Sequence, residues 1–159
     1  MEFIKTLKIP KSYKTDIFNL WNQEYPKQLT YNTLKDFDTY LNKLTKASHI
    51  LIVENKKAYG WYVDFNRDSR RWFVILVDSN TQGKGYGSKL LNLAKKKEIE
   101  LNGWVIDHNN DLKHNGENYL SPLGFYLKNG FELISGDRLE QENISAIRIR
   151  WKKQGNNNQ

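Results

Sequence analysis

The feature that most constrains this chain is the segment Val77-Asp78-Ser79-Asn80-Thr81-Gln82-Gly83-Lys84-Gly85-Tyr86-Gly87-Ser88. The apolar run Arg71-Trp72-Phe73-Val74-Ile75-Leu76-Val77 leads into it, and a helical pattern leaves it. Three glycines at alternate positions let the backbone turn sharply and let successive N–H groups converge. The helix start adds unpaired donors and the positive end of the dipole. The product is a cradle for an anion, best suited to phosphate or pyrophosphate, with Lys84 as a point charge at its rim.

Two familiar phosphate motifs do not fit. A P-loop needs Gly-x-x-x-x-Gly-Lys-Ser/Thr, which the chain lacks. A dinucleotide fingerprint needs a third glycine where Ser88 stands, and a parallel sheet ahead of the turn. Here three strand signals precede it, over 49–54, 58–65 and 71–77, joined by short polar turns. They predict an antiparallel meander.

Elsewhere the pattern is equally readable. Segment 3–9 reads as a short strand stopped by Pro10. Tyr13, Ile17, Phe18, Leu20 and Trp21 predict a helix over 12–25, and Leu34, Phe37, Tyr40, Leu41 and Leu44 a second over 33–45. A helix is predicted over 85–102, with Leu90, Leu91, Ala94 and Leu101 on its buried face. Trp104-Val105-Ile106 then forms a strand parallel to the preceding one, because a helix connects them. Residues 107–118 are a polar loop. Ser121-Pro122 opens a last helix that Asn129-Gly130 ends, and 131–134 and 144–151 pair over a loop around Gly136.

A chain of 159 residues makes one domain, assigned here to 1–152, with 153–159 a polar tail expected to be disordered. The absence of cysteine excludes a disulfide scaffold, a thiolate metal site and a cysteine nucleophile. No histidine has a second ligand at metal spacing, so no metal is expected. The N-terminus has no apolar leader and no apolar run approaches ~18 residues, so a soluble cytoplasmic protein without membrane contact is expected. The net charge of +7 comes from scattered lysines. That favours anionic ligands over nucleic acid, which would call for basic and aromatic residues clustered on one face.

Gln82-Gly83-Lys84-Gly85-Tyr86-Gly87 is similar to the Gln/Arg-x-x-Gly-x-Gly/Ala motif of the GNAT N-acetyltransferase superfamily. Tyr126-Leu127-Lys128-Asn129-Gly130-Phe131 resembles its Tyr-x-x-x-Gly-Phe segment, and the element order resembles the family over residues 2–151. The resemblance implies an α+β fold, a central mixed, mostly antiparallel sheet flanked by about four helices. It implies an N-acyltransferase that moves an acetyl group from acetyl-coenzyme A to an amine by direct attack in a ternary complex. The acceptor would be a small molecule or a protein amine, and the enzyme a monomer or homodimer.

The resemblance also assigns residues. The pyrophosphate would lie on the N–H groups of Gly83, Lys84, Gly85, Tyr86, Gly87 and Ser88, beside Gln82. The strand edge at Ile75, Leu76 and Val77 would bond the pantetheine arm like an added strand, splaying from the Trp104 strand, often at a bulge. Tyr126 would protonate the departing thiolate, and Lys128 would approach the phosphates. Family members often carry a glutamate on the strand before the turn; here no carboxylate precedes Asp78. The family's loop asparagine has two candidates, Asn110 and Asn118.

His108, just past the Trp104 strand, is a candidate base by its ordinary pKa, and Asp107 a candidate partner for a cationic amine. Trp61 and Tyr62 alternate onto opposite faces, so one of them is open to line an acceptor pocket. Glu54 and Asp64, near strand ends, are expected to be solvated. Two rivals stand beside the enzyme: a non-catalytic acyl-coenzyme A-binding module and a basic nucleic-acid-binding protein.

Overall fold

Alternation along the central strands gives the protein two cores, one on each face of a single sheet. In the computed structural model, which describes residues 1–155, the strands are β1 (Glu2–Thr6), β2 (Thr45–Glu54), β3 (Lys57–Arg67), β4 (Arg70–Val77), β5 (Glu100–Val105), β6 (Glu132–Gln141) and β7 (Ile144–Lys152). The α-helices are α1 (Lys11–Glu24), α2 (Leu34–Asn42), α3 (Tyr86–Lys97) and α4 (Leu123–Lys128). The sheet runs β1-β2-β3-β4-β5-β7-β6 and is antiparallel except between β4 and β5. This is the mixed, mostly antiparallel α+β fold that the sequence led us to expect.

Leu51 and Val53 of β2 and Trp61, Val63 and Phe65 of β3 pack against Ile17, Leu20, Trp21 and Phe37 of α1 and α2. Their neighbours Ile50, Ile52 and Tyr62, with Phe73, pack against Leu90, Leu91 and Ala94 of α3 and Tyr126 of α4. Each large apolar side chain so buried contributes about 1.5–3 kcal/mol. The meander β2-β3-β4 is therefore covered on both faces, and it holds the turn after β4 rigidly in place.

Three local expectations change. α3 stops at Lys97, and residues 100–102 belong to β5, where Leu101 pairs with Trp151 and Asn102 with Arg150. Leu101 fits a helical period yet is buried from a strand. The polar side chain of Asn102 fixes that strand: it accepts from Arg148 Nη1 (2.6 Å) and donates to Arg71 O (3.2 Å). Gly136 is not at the hairpin tip but inside β6, at φ +83°, where the register with β7 shifts. Asp64 is not solvated. It is fully buried and receives Arg71 Nη2 (2.5 Å), Lys97 Nζ (2.8 Å) and the Tyr62 hydroxyl (2.8 Å), joining β3, β4 and α3.

The backbone N–H of Lys153 donates to Ile99 O (2.8 Å), so the described chain stays attached just past β7. The rest of the expected tail, residues 156–159, lies outside the described residues. Among the described residues no helix is long and apolar enough to cross a membrane.

Candidate active site

β4 and β5 pair at a single position, Trp72 with Asn102. Beyond it the two strands part. The β5-facing edge at Ile75, Leu76 and Val77 is left without a strand partner, while the opposite edge of β4 stays in unbroken register with β3 and shows no bulge. The gap opens into a cleft of about 1010 Å³ that Ile75, Leu76 and Val77 line. Backbone donors and acceptors along that edge are obligatory hydrogen-bonding groups, so the edge is matched to an extended, amide-bearing ligand.

The glycine turn stands at the C-terminal end of this edge. Gly83 and Gly85 have φ of +82° and +83°, and a Cβ built on either would meet nothing within 4 Å. Conformation, rather than crowding, demands glycine there. Gly87 is different: its Cβ would come 2.9 Å from the Phe125 ring, so glycine here lets α3 and α4 touch. Gln82 closes the turn, its Nε2 donating to Val77 O (2.9 Å).

The first helical bond of α3 runs from Lys89 N–H to Gly85 O (3.1 Å), with Gly85 as a cap that offers no side chain. The N–H groups of Tyr86, Gly87 and Ser88 therefore have no acceptor among the described residues. Gln82, Gly83, Gly85, Tyr86, Gly87 and Ser88 all line the cleft. Open glycines, free donors and the helix dipole together fit a phosphate group. Lys84 is exposed and does not line the cleft, whereas Lys128 is exposed and does. Asn118 lines it too, but its Nδ2 is spent on Asn109 O (2.7 Å).

Tyr126 reaches the cleft from α4. Phe73 and Phe131 meet its ring edge to face at 5.7 Å each. Burial, with a smaller contribution from Tyr119, pushes its phenol well above the usual tyrosine range, so the hydroxyl keeps its proton. Among the described residues that hydroxyl has no hydrogen-bond partner. α4 itself is held at its end by Lys95 Nζ, which donates to Asn129 O, and by Gly130 at φ +86°.

The opposite wall is aromatic. Trp21, Tyr25, Tyr31, Tyr40, Phe65 and Trp72 line it, with Trp21 4.6 Å from Tyr25 and 5.1 Å from Tyr40. Neither Trp61 nor Tyr62 does; both are wholly buried beneath the sheet surface. Residues 107–121 form a strap tied to the segment after α1, and Lys113 and residues 117–121 of it line the cleft. Lys27 N–H donates to Leu112 O (2.9 Å), Thr30 Oγ1 meets His114 Nε2 (2.8 Å), and Tyr119 packs 6.3 Å from Tyr25.

The strap draws His108 away from the cleft, where it is not a lining residue. Its Nδ1 accepts from Asn110 N–H (3.1 Å). Asp107 is engaged as well, bidentate with Arg138 at 2.8 and 3.0 Å, and that pairing holds its carboxyl below the usual range.

Glu24 escaped the sequence reading. It is buried, lines the cleft and accepts from Ser79 N–H (2.9 Å), Ser79 Oγ (2.6 Å) and Gln23 Nε2 (2.9 Å). Its signal was available: Ile17, Leu20, Trp21 and Glu24 fall at i, i+3, i+4 and i+7, which puts a carboxylate on the buried face of α1. Filled with donors, it fastens α1 to the turn after β4.

A family model for the acetyltransferase (GNAT) domain matches residues 46–133, more than half of the chain. The chain belongs to the GNAT acetyltransferase family. Solved structures share the fold across nearly its whole length. An aminoglycoside 6'-N-acetyltransferase complexed with coenzyme A aligns at TM-score 0.72 and 13% identity, over 96% of this chain and 97% of that one. A ribosomal-protein-alanine N-acetyltransferase from Brucella melitensis aligns at 0.68 and 11%, over 96% and 100%. A phosphinothricin acetyltransferase from Sinorhizobium meliloti in complex with AcCoA aligns at 0.66 and 11%, over 96% and 89%. No curated protein sequence matches the chain.

Proposed function

We propose that residues 1–152 form an N-acetyltransferase that takes its acetyl group from acetyl-coenzyme A and delivers it to an amine by direct attack. One observation carries this reading. The unpaired edge of β4, the open glycine turn and the free hydroxyl of Tyr126 all face one cleft. When bound, the thioester supplies an activated acyl carbon. The β4 edge orients it, and the N–H groups of residues 86–88 receive the pyrophosphate. Positioning of this kind is a large share of the acceleration available to an enzyme.

The amine nitrogen forms a bond to the acyl carbon as the carbon–sulfur bond breaks. Tyr126 donates its proton to the departing thiolate, an interaction stronger in the transition state than before it. The proton lost by nitrogen goes to water, and water returns one to the Tyr126 phenolate, so the phenol is restored after each transfer. Of the two carboxylates along the cleft, Glu24 is held by Ser79 and Gln23, and Glu117 is exposed to solvent, 4.0 Å from Lys113. No acyl-enzyme is formed in this reading: the chain has no cysteine, and among the described residues no serine is hydrogen-bonded to a histidine.

The test is a panel of amines assayed for thiol release from acetyl-coenzyme A, alongside calorimetry of coenzyme A binding. Binding with release for at least one amine is expected. Binding without release for any amine would favour an acyl-coenzyme A-binding module, and absence of binding would overturn the reading.

A further inference from the structure

Arg67 is the last residue of β3, and it lines the aromatic end of the cleft. Its guanidinium lies 4.7 Å over the Trp72 ring and 5.5 Å over the Phe65 ring, and Trp72 Nε1 donates back to Arg67 O (3.0 Å). Stacking of this kind fixes the plane of the fork. Arg71, Arg138, Arg148 and Arg150 all form ion pairs. Arg67 and Arg70 form none among the described residues, and of these two only Arg67 lines the cleft. Burial raises the pKa of the nearby Tyr40 hydroxyl, and the Arg67 charge pulls against that rise, so its field reaches into the chamber.

The other charges along the wall cancel, Glu24 and Glu117 against Lys113 and Lys128, so Arg67 leaves it with one surplus positive charge. Glu24 is filled with donors, Glu117 faces Lys113, and Lys128 stands at the rim. A stacked guanidinium with nothing opposite it is suited to a carboxylate, which it grips through two parallel N–H···O bonds. Resting on the transferase reading above, the geometry points to a small acceptor that carries a carboxylate as well as its amine. Its carboxylate is held by Arg67, and its apolar or aromatic body packs on Trp72, Tyr31 and Tyr40. The strap tied to Lys27 and Thr30 lines the same chamber through Tyr119 and Leu120.

The reaction balances as an ordinary acyl transfer. Nitrogen gains the acetyl group and loses one proton, coenzyme A leaves as thiol, and the carboxylate is unchanged. Arg67 acts on binding, so its effect falls on KM.

Matched amines test this directly: phenylalanine with phenethylamine and tryptophan with tryptamine, each assayed by thiol release. The wild type is expected to prefer the carboxylated member by about 10- to 100-fold in kcat/KM, the range for a hydrogen-bonded charge pair. Most of that preference should lie in KM. Arg67→Gln should bring the ratio to within about twofold of unity, Arg67→Glu should invert it, and Arg67→Lys should restore part of it. Coenzyme A affinity by calorimetry reports that each variant is folded. Three results overturn the assignment: a wild type that uses both members equally or prefers the plain amine; a ratio unchanged in Arg67→Glu; or coenzyme A binding with neither member of either pair acetylated. A wild type that does not bind coenzyme A overturns the transferase reading instead, and this inference falls with it.

Discussion

The two ends of the cleft are built on different principles. At the glycine turn the groups that face a ligand are backbone: the edge of β4 and the N–H groups of residues 86–88. At the other end they are side chains, Trp21, Tyr25, Tyr31, Tyr40 and Trp72, which reach the chamber from α1, the segments beside it, α2 and β4. A backbone site constrains sequence through conformation, so it repeats among proteins that bind the same cofactor. A side-chain site constrains only volume and polarity, and many sequences satisfy it. The family match follows this division. It spans residues 46–133 and leaves out α1, α2 and the segment between them, which together supply four of the six aromatic residues of that wall.

That contrast can be tested at each end. The largest effect is expected from Tyr126→Phe, which removes one hydroxyl and leaves the ring contacts with Phe73 and Phe131. Turnover with a saturating amine should fall about 100-fold or more while coenzyme A affinity holds. A fall of less than twofold with chemistry rate-limiting would remove Tyr126 as the acid and reduce α4 to packing.

Acid should weaken the aromatic end through a residue beneath it. His49 Nδ1 accepts from Trp61 Nε1 (3.0 Å), and Trp61 packs on Trp21 and Phe37. Burial lowers the His49 pKa to about 4, against an opposing pull from Asp64. The unfolded chain binds this proton near pH 6.5 and the folded chain only near 4, so stability is complete above pH 6.5 and falls as pH drops towards 4. Between pH 7 and 5 the loss should be about 2 kcal/mol. Urea unfolding at both pH values checks it, and His49→Gln should flatten that part of the pH dependence.

At the backbone end, Gly85→Val should cost at least about tenfold in coenzyme A affinity. A β-branched residue does not tolerate φ near +83°, and the turn must distort to admit it. Calorimetry showing unchanged affinity would place the anion site elsewhere. The smallest effect is expected from His108→Ala. Because this ring serves Asn110 in the strap, the acidic limb of the pH–rate profile should keep its position and should follow the pKa of the amine acceptor. A shifted limb would return His108 to the chemistry.

The sequence disclosed what local conformation demands. Gly83 and Gly85 at positive φ, Gly130 ending α4 and the alternation in β2 and β3 each map onto one residue type or one period. What it concealed depends on tertiary direction. His108 comes three residues after the end of β5, yet the strap turns it away. Asp64 reads as a polar residue near a strand end, but three donors from β3, β4 and α3 close over it. Leu101 satisfies a helical period while sitting in a strand, because burial on the same face is reached either way. Arg67 gives no signal at all, since its lack of a partner is a property of the folded surface.

The parting of β4 from β5 has a consequence for solubility. It creates an edge strand in the middle of a sheet, with the unpaired backbone that ordinarily templates aggregation. Sheets usually protect such edges with charge, proline or a bulge, and Ile75-Leu76-Val77 has none of these. Protection here comes from depth. The exposed ladder is short, and α1, α4 and the strap stand around it, so a narrow extended ligand can enter while a second polypeptide strand is kept out. The depth that suits this groove to a narrow ligand also withholds its ladder from a second strand.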